Sequence, residues 1–262
     1  MPSLTKKMKK TGIPFRTAGA GVAAACLALA LTGCAGLDAT APSAVRAEPA
    51  PTAQAARFGT VDCREAKCVA LTFDAGPSEN SPRLLDILKE KQVPATFFLL
   101  GKGHIEKYPQ LVARMADEGH EVASHTWDHK ILTELEPPEI REELERPNRE
   151  IERLTGRRPT LMRPPQGRTD DTVHEVCREL GLAEVLWTVT AKDYTTEDPA
   201  LIQRRVLART ERDGIILLHD IYAGTVPAVP GIIDALKERG YVFVTVPQLL
   251  APGKAEPGKV YR

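Results

Sequence analysis

Val69-Ala70-Leu71-Thr72-Phe73-Asp74-Ala75-Gly76-Pro77 is the stretch from which the rest of the chain can be read. An apolar run of strand length stops at a carboxylate and passes into a Gly-Pro turn. The same form recurs at Ala95–Leu100, Glu121–Ser124, Thr160–Met162, Val185–Val189, Ile215–Leu218 and Val242–Val246. Helix-like segments of ten or more residues lie between these runs. Ser81-Pro82 supplies a cap and a first-turn proline for one of them, and Gly119, Gly181 and Gly240 supply C-terminal stops. Seven strand-like runs separated by helices predict repeated β/α units around a parallel sheet. The expected α/β fold is a distorted, incomplete (β/α) barrel of about seven parallel strands, and a doubly wound open sheet is the structural alternative. Pro147, inside the otherwise helical stretch 138–155, is expected to kink or split that helix.

Polar residues fall where these runs end. Asp74 ends the first, His125 the third and His219 the sixth, and Arg163 begins the turn after the fourth. In parallel β/α folds all strand C-termini open on one face, so residues scattered along the chain converge there. His125 and His129 form a His-x-x-x-His pair; on one helical turn residues four apart share a face and can meet one metal ion. Arg163-Pro164-Pro165-Gln166-Gly167 is a turn stiffened by prolines, and a guanidinium fork held there can pair with a carboxylate. Asp193 and Tyr194 follow a fifth apolar run, and Leu217-Leu218-His219 closes the sixth. Read singly, Asp74 could be a turn cap, Asp193 an exposed loop acid and His219 a structural histidine.

Taken together, in this order, these segments resemble the five motifs of the polysaccharide deacetylases, the NodB-homology family of metal-dependent carbohydrate esterases. The resemblance covers roughly residues 61–250. It implies Asp74 as the base that takes a proton from water and Arg163 as that base's partner. It implies His219 as the acid that protonates the leaving amine, with Asp193 orienting it. His125 and His129 become ligands of a divalent ion, Zn2+ before Co2+ or Ni2+. Gln166 stands where the family often has tyrosine and supplies a backbone N–H to the oxyanion. Tyr194, in place of tryptophan, walls the acetyl pocket, and Leu217 lines it. The family normally has a second aspartate, a metal ligand, where this chain has Ala75. Asp74 turned onto the ion, Glu79, Asp128 or water are the conceivable substitutes. The implied reaction is release of acetate from an N-acetylglucosamine-containing glycan, with peptidoglycan ahead of chitin-like polymer. A module that binds cell-wall glycan without catalysis is the alternative.

The chain of 262 residues carries no formal net charge, but five bases and no acid lie in residues 1–33. The remainder holds 30 bases against 35 acids, which argues against a nucleic-acid partner. That basic leader, the apolar stretch Ala18–Leu31 and Leu31-Thr32-Gly33-Cys34 read as a lipoprotein signal with Cys34 as the lipidated residue. The apolar stretch is short of the ~20 residues of a spanning helix. Residues 34–57, rich in Ala, Pro and Thr, are expected to tether a monomeric domain (58–262) to the outer face of the cell membrane. Cys63 and Cys68 are placed to close a local disulfide in that compartment. Cys177 reads as a buried small apolar residue, and His104, His120 and His174 as surface or packing residues.

Overall fold

The computed structural model describes residues 38–46 and 61–262. The leader, Cys26 and Cys34 lie outside the described residues. Among the described residues there are ten strands: β1 (Ala39–Thr40), β2 (Lys67–Asp74), β3 (Thr96–Leu99), β4 (Glu121–Ser124), β5 (Leu161–Met162), β6 (Ala183–Val185), β7 (Val189–Thr190), β8 (Gly214–His219), β9 (Tyr241–Val244) and β10 (Val260–Tyr261). All pairings are parallel, in the order β1-β10-β6-β5-β4-β3-β2-β8-β7, with β9 beside β2. Eight α-helices among the same described residues accompany them: α1 (Pro42–Val45), α2 (Ser81–Glu90), α3 (Pro109–Asp117), α4 (Pro137–Thr155), α5 (Asp171–Leu180), α6 (Pro199–Leu207), α7 (Thr225–Glu238) and α8 (Val246–Leu250). This is the distorted parallel barrel expected. The doubly wound sheet is excluded, because the strands curl around a buried interior of their own.

Strand alternation explains two cores. Leu71 and Phe73 of β2 join Phe97, Leu99, Ile216 and Leu218 in a cluster covered by Leu84, Leu85 and Leu88 of α2 and by Ile232, Ile233 and Leu236 of α7. Ala70 belongs instead to an interior cluster with Phe98, Ala123, Leu161, Ala183, Val185 and Ile215. Val246, Leu249 and Leu250 of α8 and the Cys63–Cys68 disulfide fill the same interior. Thr72 and Asp74 share the parity of Ala70, so they too face inward, toward the end where the strands stop.

Three expectations are corrected. Val185–Val189 is two strands, not one; β6 continues toward β5 and β10 while β7 pairs with β8. Pro147 does not split α4, which runs unbroken over 19 residues from a Glu136/Glu139 capping box to Gly156 at φ 70°. Ile140, Leu144 and Ile151 bury its inner face, and that packing outweighs the one backbone bond a proline removes. Part of the expected tether, residues 38–46, belongs to the domain. Ala39 and Thr40 pair with Val260 and Tyr261. Arg46, buried, donates to the Leu249 carbonyl at 2.6 Å and to Asp213 at 2.6 Å. A two-residue strand needs backbone groups alone, so no apolar period announces it.

Candidate active site

β2 and β8 lie side by side, and Asp74 and His219 are Cα partners in their register. Each is the last residue of its strand, so two ionisable side chains meet at one strand end. Each has its own anchor. Arg163, fully buried, donates from Nη1 to Asp74 Oδ1 at 2.6 Å and to Thr72 Oγ1 at 2.8 Å. Its Nε and Nη2 donate to the carbonyls of Val185 and Leu186 at 2.8 and 3.0 Å, and its plane lies 4.1 Å over the Phe98 ring. The guanidinium is thus held through all three of its nitrogens. Burial pushes the Arg163 pKa down, and Asp74 acts against it.

Asp193, also buried, holds His219. Its Oδ1 accepts from His219 Nδ1 at 2.9 Å, and its Oδ2 accepts from the His219 backbone N–H at 2.7 Å and from Thr225 Oγ1 at 2.8 Å. The Nδ1 proton is therefore committed to Asp193 and Nε2 is left to exchange a proton. Burial of the ring opposes its charge, but the Asp193 hydrogen bond and charge outweigh it and the His219 pKa is raised. Tyr194, 53% exposed, stands edge-on to His219 at 6.2 Å, and Tyr222 also meets it edge-on at 5.4 Å. Leu217, 4% exposed, is the register partner of Thr72 and Thr190.

His125 follows β4 and is buried. Its Nδ1 donates to the Arg163 carbonyl at 2.8 Å, so Nε2 is unprotonated and lies 3.9 Å from Asp74 Oδ2. Burial pushes its pKa down to about 4, ahead of the opposing pull of Asp74. His129 sits at the exposed rim with its ring centroid 5.0 Å from that of His125. The helical turn expected for this pair is absent; residues 125–129 form a loop with positive φ at Thr126 (74°) and His129 (55°). The helix is replaced by outside anchors. Glu143 of α4, 5% exposed, accepts the N–H groups of Trp127 and Asp128 at 3.1 and 2.9 Å. Trp127 packs so tightly on Gly101 that a Cβ there would fall 2.0 Å from its ring.

Two neutral imidazoles, that of His125 with its tautomer fixed by the Arg163 carbonyl, suit a divalent ion as two of its donors. Ala75, where the resemblance led us to expect a carboxylate, is buried at φ 65°. Among the described residues no three His, Cys, Asp or Glu side chains converge as a ligand set. Asp128 is turned to Lys102 at 2.8 Å and Glu79 is exposed. Of the expected substitutes, Asp74 alone stands beside the pair, through Oδ2. Gln166 has φ 58° in the turn after Arg163, and its side chain is exposed.

Sequence reasoning missed Glu143, Tyr222 and Asp220. Asp220 is buried, takes a hydrogen bond from Ser81 Oγ, and leaves Oδ1 unpartnered, 2.7 Å from where a Cβ on Gly76 would stand. A signal existed for Glu143, a charged residue on the apolar stripe Ile140-Leu144-Ile151 of its helix. Of the remaining histidines, His120 packs on Phe97 and His174 pairs with Glu184. Burial pushes the Cys177 thiol pKa up, consistent with an inert core position.

Residues 62–185 match the Polysaccharide deacetylase family. The chain is 39% identical over 196 residues to peptidoglycan-N-acetylglucosamine deacetylase PgdA of Listeria monocytogenes, covering 74% of this chain and 41% of that protein. It thus spans about two fifths of the length of that curated relative. A solved structure described as T48 deacetylase with substrate superposes with a TM-score of 0.74 at 42% identity, covering 78% of this chain and all of that one. BA3943 of Bacillus anthracis, described as a CE4 family pseudoenzyme, superposes at 0.68 with 29% identity over 76% of this chain and 70% of its own; a mutant of it is described as having restored enzymatic activity. The matched strand-end residues, the parallel barrel and these likenesses agree: the chain belongs to the polysaccharide deacetylase family.

Proposed function

We propose that this chain is a hydrolase that removes N-acetyl groups from N-acetylglucosamine units of cell-wall glycan, releasing acetate. One observation carries the reading: the pairing of β2 with β8 puts the Arg163-anchored Asp74 beside the Asp193-anchored His219. A buried proton acceptor and a half-buried proton donor, each held by its own partner, are what amide hydrolysis needs on the two sides of a carbonyl. Asp74 takes a proton from the attacking water. The C–N bond breaks as His219 Nε2–H protonates the departing sugar amine, and the acyl carbon leaves as acetate. The backbone N–H of Gln166 serves the developing oxyanion. A divalent ion held by His125 and His129 would supply polarisation of the acyl carbonyl and of the water. Tyr194 and Leu217 bound the acetyl group. Peptidoglycan is the first substrate to test, in keeping with the relative from Listeria and with a lipid anchor at Cys34 that holds the domain beside the wall.

Ala75 favours a second reading, a glycan-binding module without turnover, and a pseudoenzyme exists among the structural relatives. Acetate release from peptidoglycan and from chitin oligomers, with and without added zinc, separates the two. Turnover that disappears in Asp74→Asn supports the hydrolase. Glycan binding with no acetate release, unchanged by that substitution, supports the binding module and rejects the hydrolase.

A further inference from the structure

Tyr222 lies outside the five motifs, yet its ring meets the same imidazole as Tyr194. The centroids of Tyr222 and His219 are 5.4 Å apart, with their planes at 69°. Tyr222 stands in the loop between β8 and α7, residues 220–224, and that loop is fixed at both ends. The Asp220 carbonyl accepts from Ser78 Oγ at 3.1 Å and from Asn80 Nδ2 at 3.0 Å. The Thr225 N–H donates to the Tyr222 carbonyl at 3.1 Å, and Thr225 Oγ1 donates to Asp193 Oδ2 at 2.8 Å. Gly224 packs so closely on the segment after Tyr194 that a Cβ there would fall 2.7 Å from the Glu197 backbone. The loops that carry the two tyrosines are thus docked on each other, and the rings are set in place before a ligand arrives.

Packing within the domain uses only part of the Tyr222 ring, which is half-buried. The buried tyrosines spend their hydroxyls inside the fold: Tyr241 donates to the Thr210 carbonyl, and Tyr261 accepts from the Glu256 N–H. The hydroxyls of Tyr222 and Tyr194 make no hydrogen bond among the described residues. Burial first, then Asp193 and Tyr194, push the Tyr222 pKa up, so its hydroxyl keeps its proton and can donate. Such a side chain offers a ligand an apolar face and a polar tip together.

We propose that Tyr222 is a substrate-binding residue that lays its ring against the pyranose whose amine His219 protonates, and so selects a glycan over a small acyl compound. The inference rests on His219 as the proton donor, as read above. A donor must come within about 3 Å of the atom it protonates. The sugar that carries the amine is therefore held against the surface that adjoins the imidazole, and Tyr222 is part of that surface. Tyr194 and Leu217 are assigned to the acetyl group, which leaves Tyr222 to the sugar ring. A pyranose presents a face of C–H groups rimmed by hydroxyls. An aromatic ring covers that face, and the phenol hydroxyl meets the rim; a few placed polar groups on an aromatic lining are what orient a ligand.

The test is acetate release from chitin oligomers by the full chain, comparing wild type with Tyr222→Ala, Tyr222→Leu and Tyr222→Phe, with circular dichroism as the fold control. Tyr222→Leu keeps apolar bulk without the ring and serves where the alanine variant fails to fold. Loss of the ring should raise KM about three- to tenfold and lower kcat by less, because a contact made equally to bound substrate and transition state acts on KM. Tyr222→Phe should stay closer to wild type than either. Release from a short acetyl ester that lacks a sugar should suffer less from the same substitutions. Unchanged KM in Tyr222→Ala and Tyr222→Leu overturns the contact. A fall in kcat with a displaced alkaline limb and an unaltered KM also overturns it, since a ring that merely supports His219 behaves so. If wild type binds the oligomers but releases no acetate, the hydrolase reading fails, and calorimetric dissociation constants of the same variants decide the contact. Weakening of about three- to tenfold without the ring upholds it, and equal affinities overturn it. Wild type that neither binds the oligomers nor releases acetate overturns both.

Discussion

Arg163→Met tests what holds the floor of the site. The substitution keeps an unbranched chain of similar reach but removes all of the donors. Arg163 is fully buried and makes hydrogen bonds of 2.6–3.0 Å to Asp74, Thr72, Val185 and Leu186. Methionine would leave the Asp74 carboxylate, 2% exposed, without its cation, and two strand-end carbonyls without this donor. Removing one partner of a buried ion pair costs about 3–5 kcal/mol. Each orphaned buried polar group adds about 1–3 kcal/mol where water does not reach it. Taking about 4 kcal/mol as a conservative total, the folding equilibrium falls by roughly a thousandfold, a large share of the ~5–15 kcal/mol of a typical domain. Urea unfolding followed by circular dichroism measures this directly. The double variant Asp74→Asn/Arg163→Met separates the ion pair from the carbonyl contacts, because a neutral amide does not demand a cation. The coupling should make the double variant at least about 2 kcal/mol more stable than the sum of the single losses predicts. A loss below about 1 kcal/mol in Arg163→Met, or strict additivity in the cycle, would refute the claim that this pair anchors the site.

Asp193→Asn should move the alkaline limb of the acetate-release profile toward acid, since Asp193 raises the His219 pKa against the cost of burial; an unmoved limb rejects His219 as the acid. The linked stability has a defined sign. With the folded pKa above the unfolded value near ~6.5, the pair's contribution is complete below that pH and is lost as pH rises through the folded value. Asp193→Asn should thus be more damaging at pH near ~6 than near ~9. Burial pushes the Asp220 pKa up to about 6, above the ordinary ~3.9, so its ionisation costs stability as pH rises through that window. Asp220→Asn should therefore gain on wild type between acid and neutral pH by at most about 3 kcal/mol, and parallel pH–stability curves would contradict it. Gly101→Ala drives a methyl into the Trp127 ring and should cost at least about 1–3 kcal/mol by overpacking. Tryptophan fluorescence should shift as the ring is displaced, and a native spectrum with a native melting point would reject the tight contact.

The strand-end residues were legible because each apolar run stops at a charged or polar group. Asp74 and His219 could be put on one face before their partnership was seen, and the register then made them neighbours. Arg163 was legible through its prolines. The His125/His129 pair was found by a helical spacing that the chain does not use, since positive φ at two residues curls a loop onto the same side. Spacing carries chemistry in both cases, but the local conformation was decided by Glu143 and Gly101, one far along the chain and one on the next strand's turn. The strands β1 and β10 could not be read, because two residues paired through backbone alone leave no side-chain pattern.

On the proposed reading of Ala75, the acid–base pair and the ion site are separable in this fold. Asp74 and His219 are fixed by the β2–β8 ladder, by Arg163 and by Asp193, none of which requires an ion. A change at position 75 can therefore remove a donor without loosening the rest. The backbone there has φ 65°, a left-handed conformation that aspartate tolerates better than alanine. Ala75→Asp should accordingly fit the existing turn. Without an ion it places a second buried carboxylate next to Asp74, and like charges held out of water repel, so the variant should be less stable than wild type in chelator. Zinc should reverse the order. Ion bound only by the folded state stabilises by about 2.7 kcal/mol at a hundred times its dissociation constant, and the charge repulsion is relieved as well. Unfolding midpoints of wild type and Ala75→Asp in chelator and in a zinc series read both effects. A midpoint of Ala75→Asp that zinc raises no further than it raises wild type would mean that position 75 does not face the ion, and the site would have to be drawn around Asp74 instead.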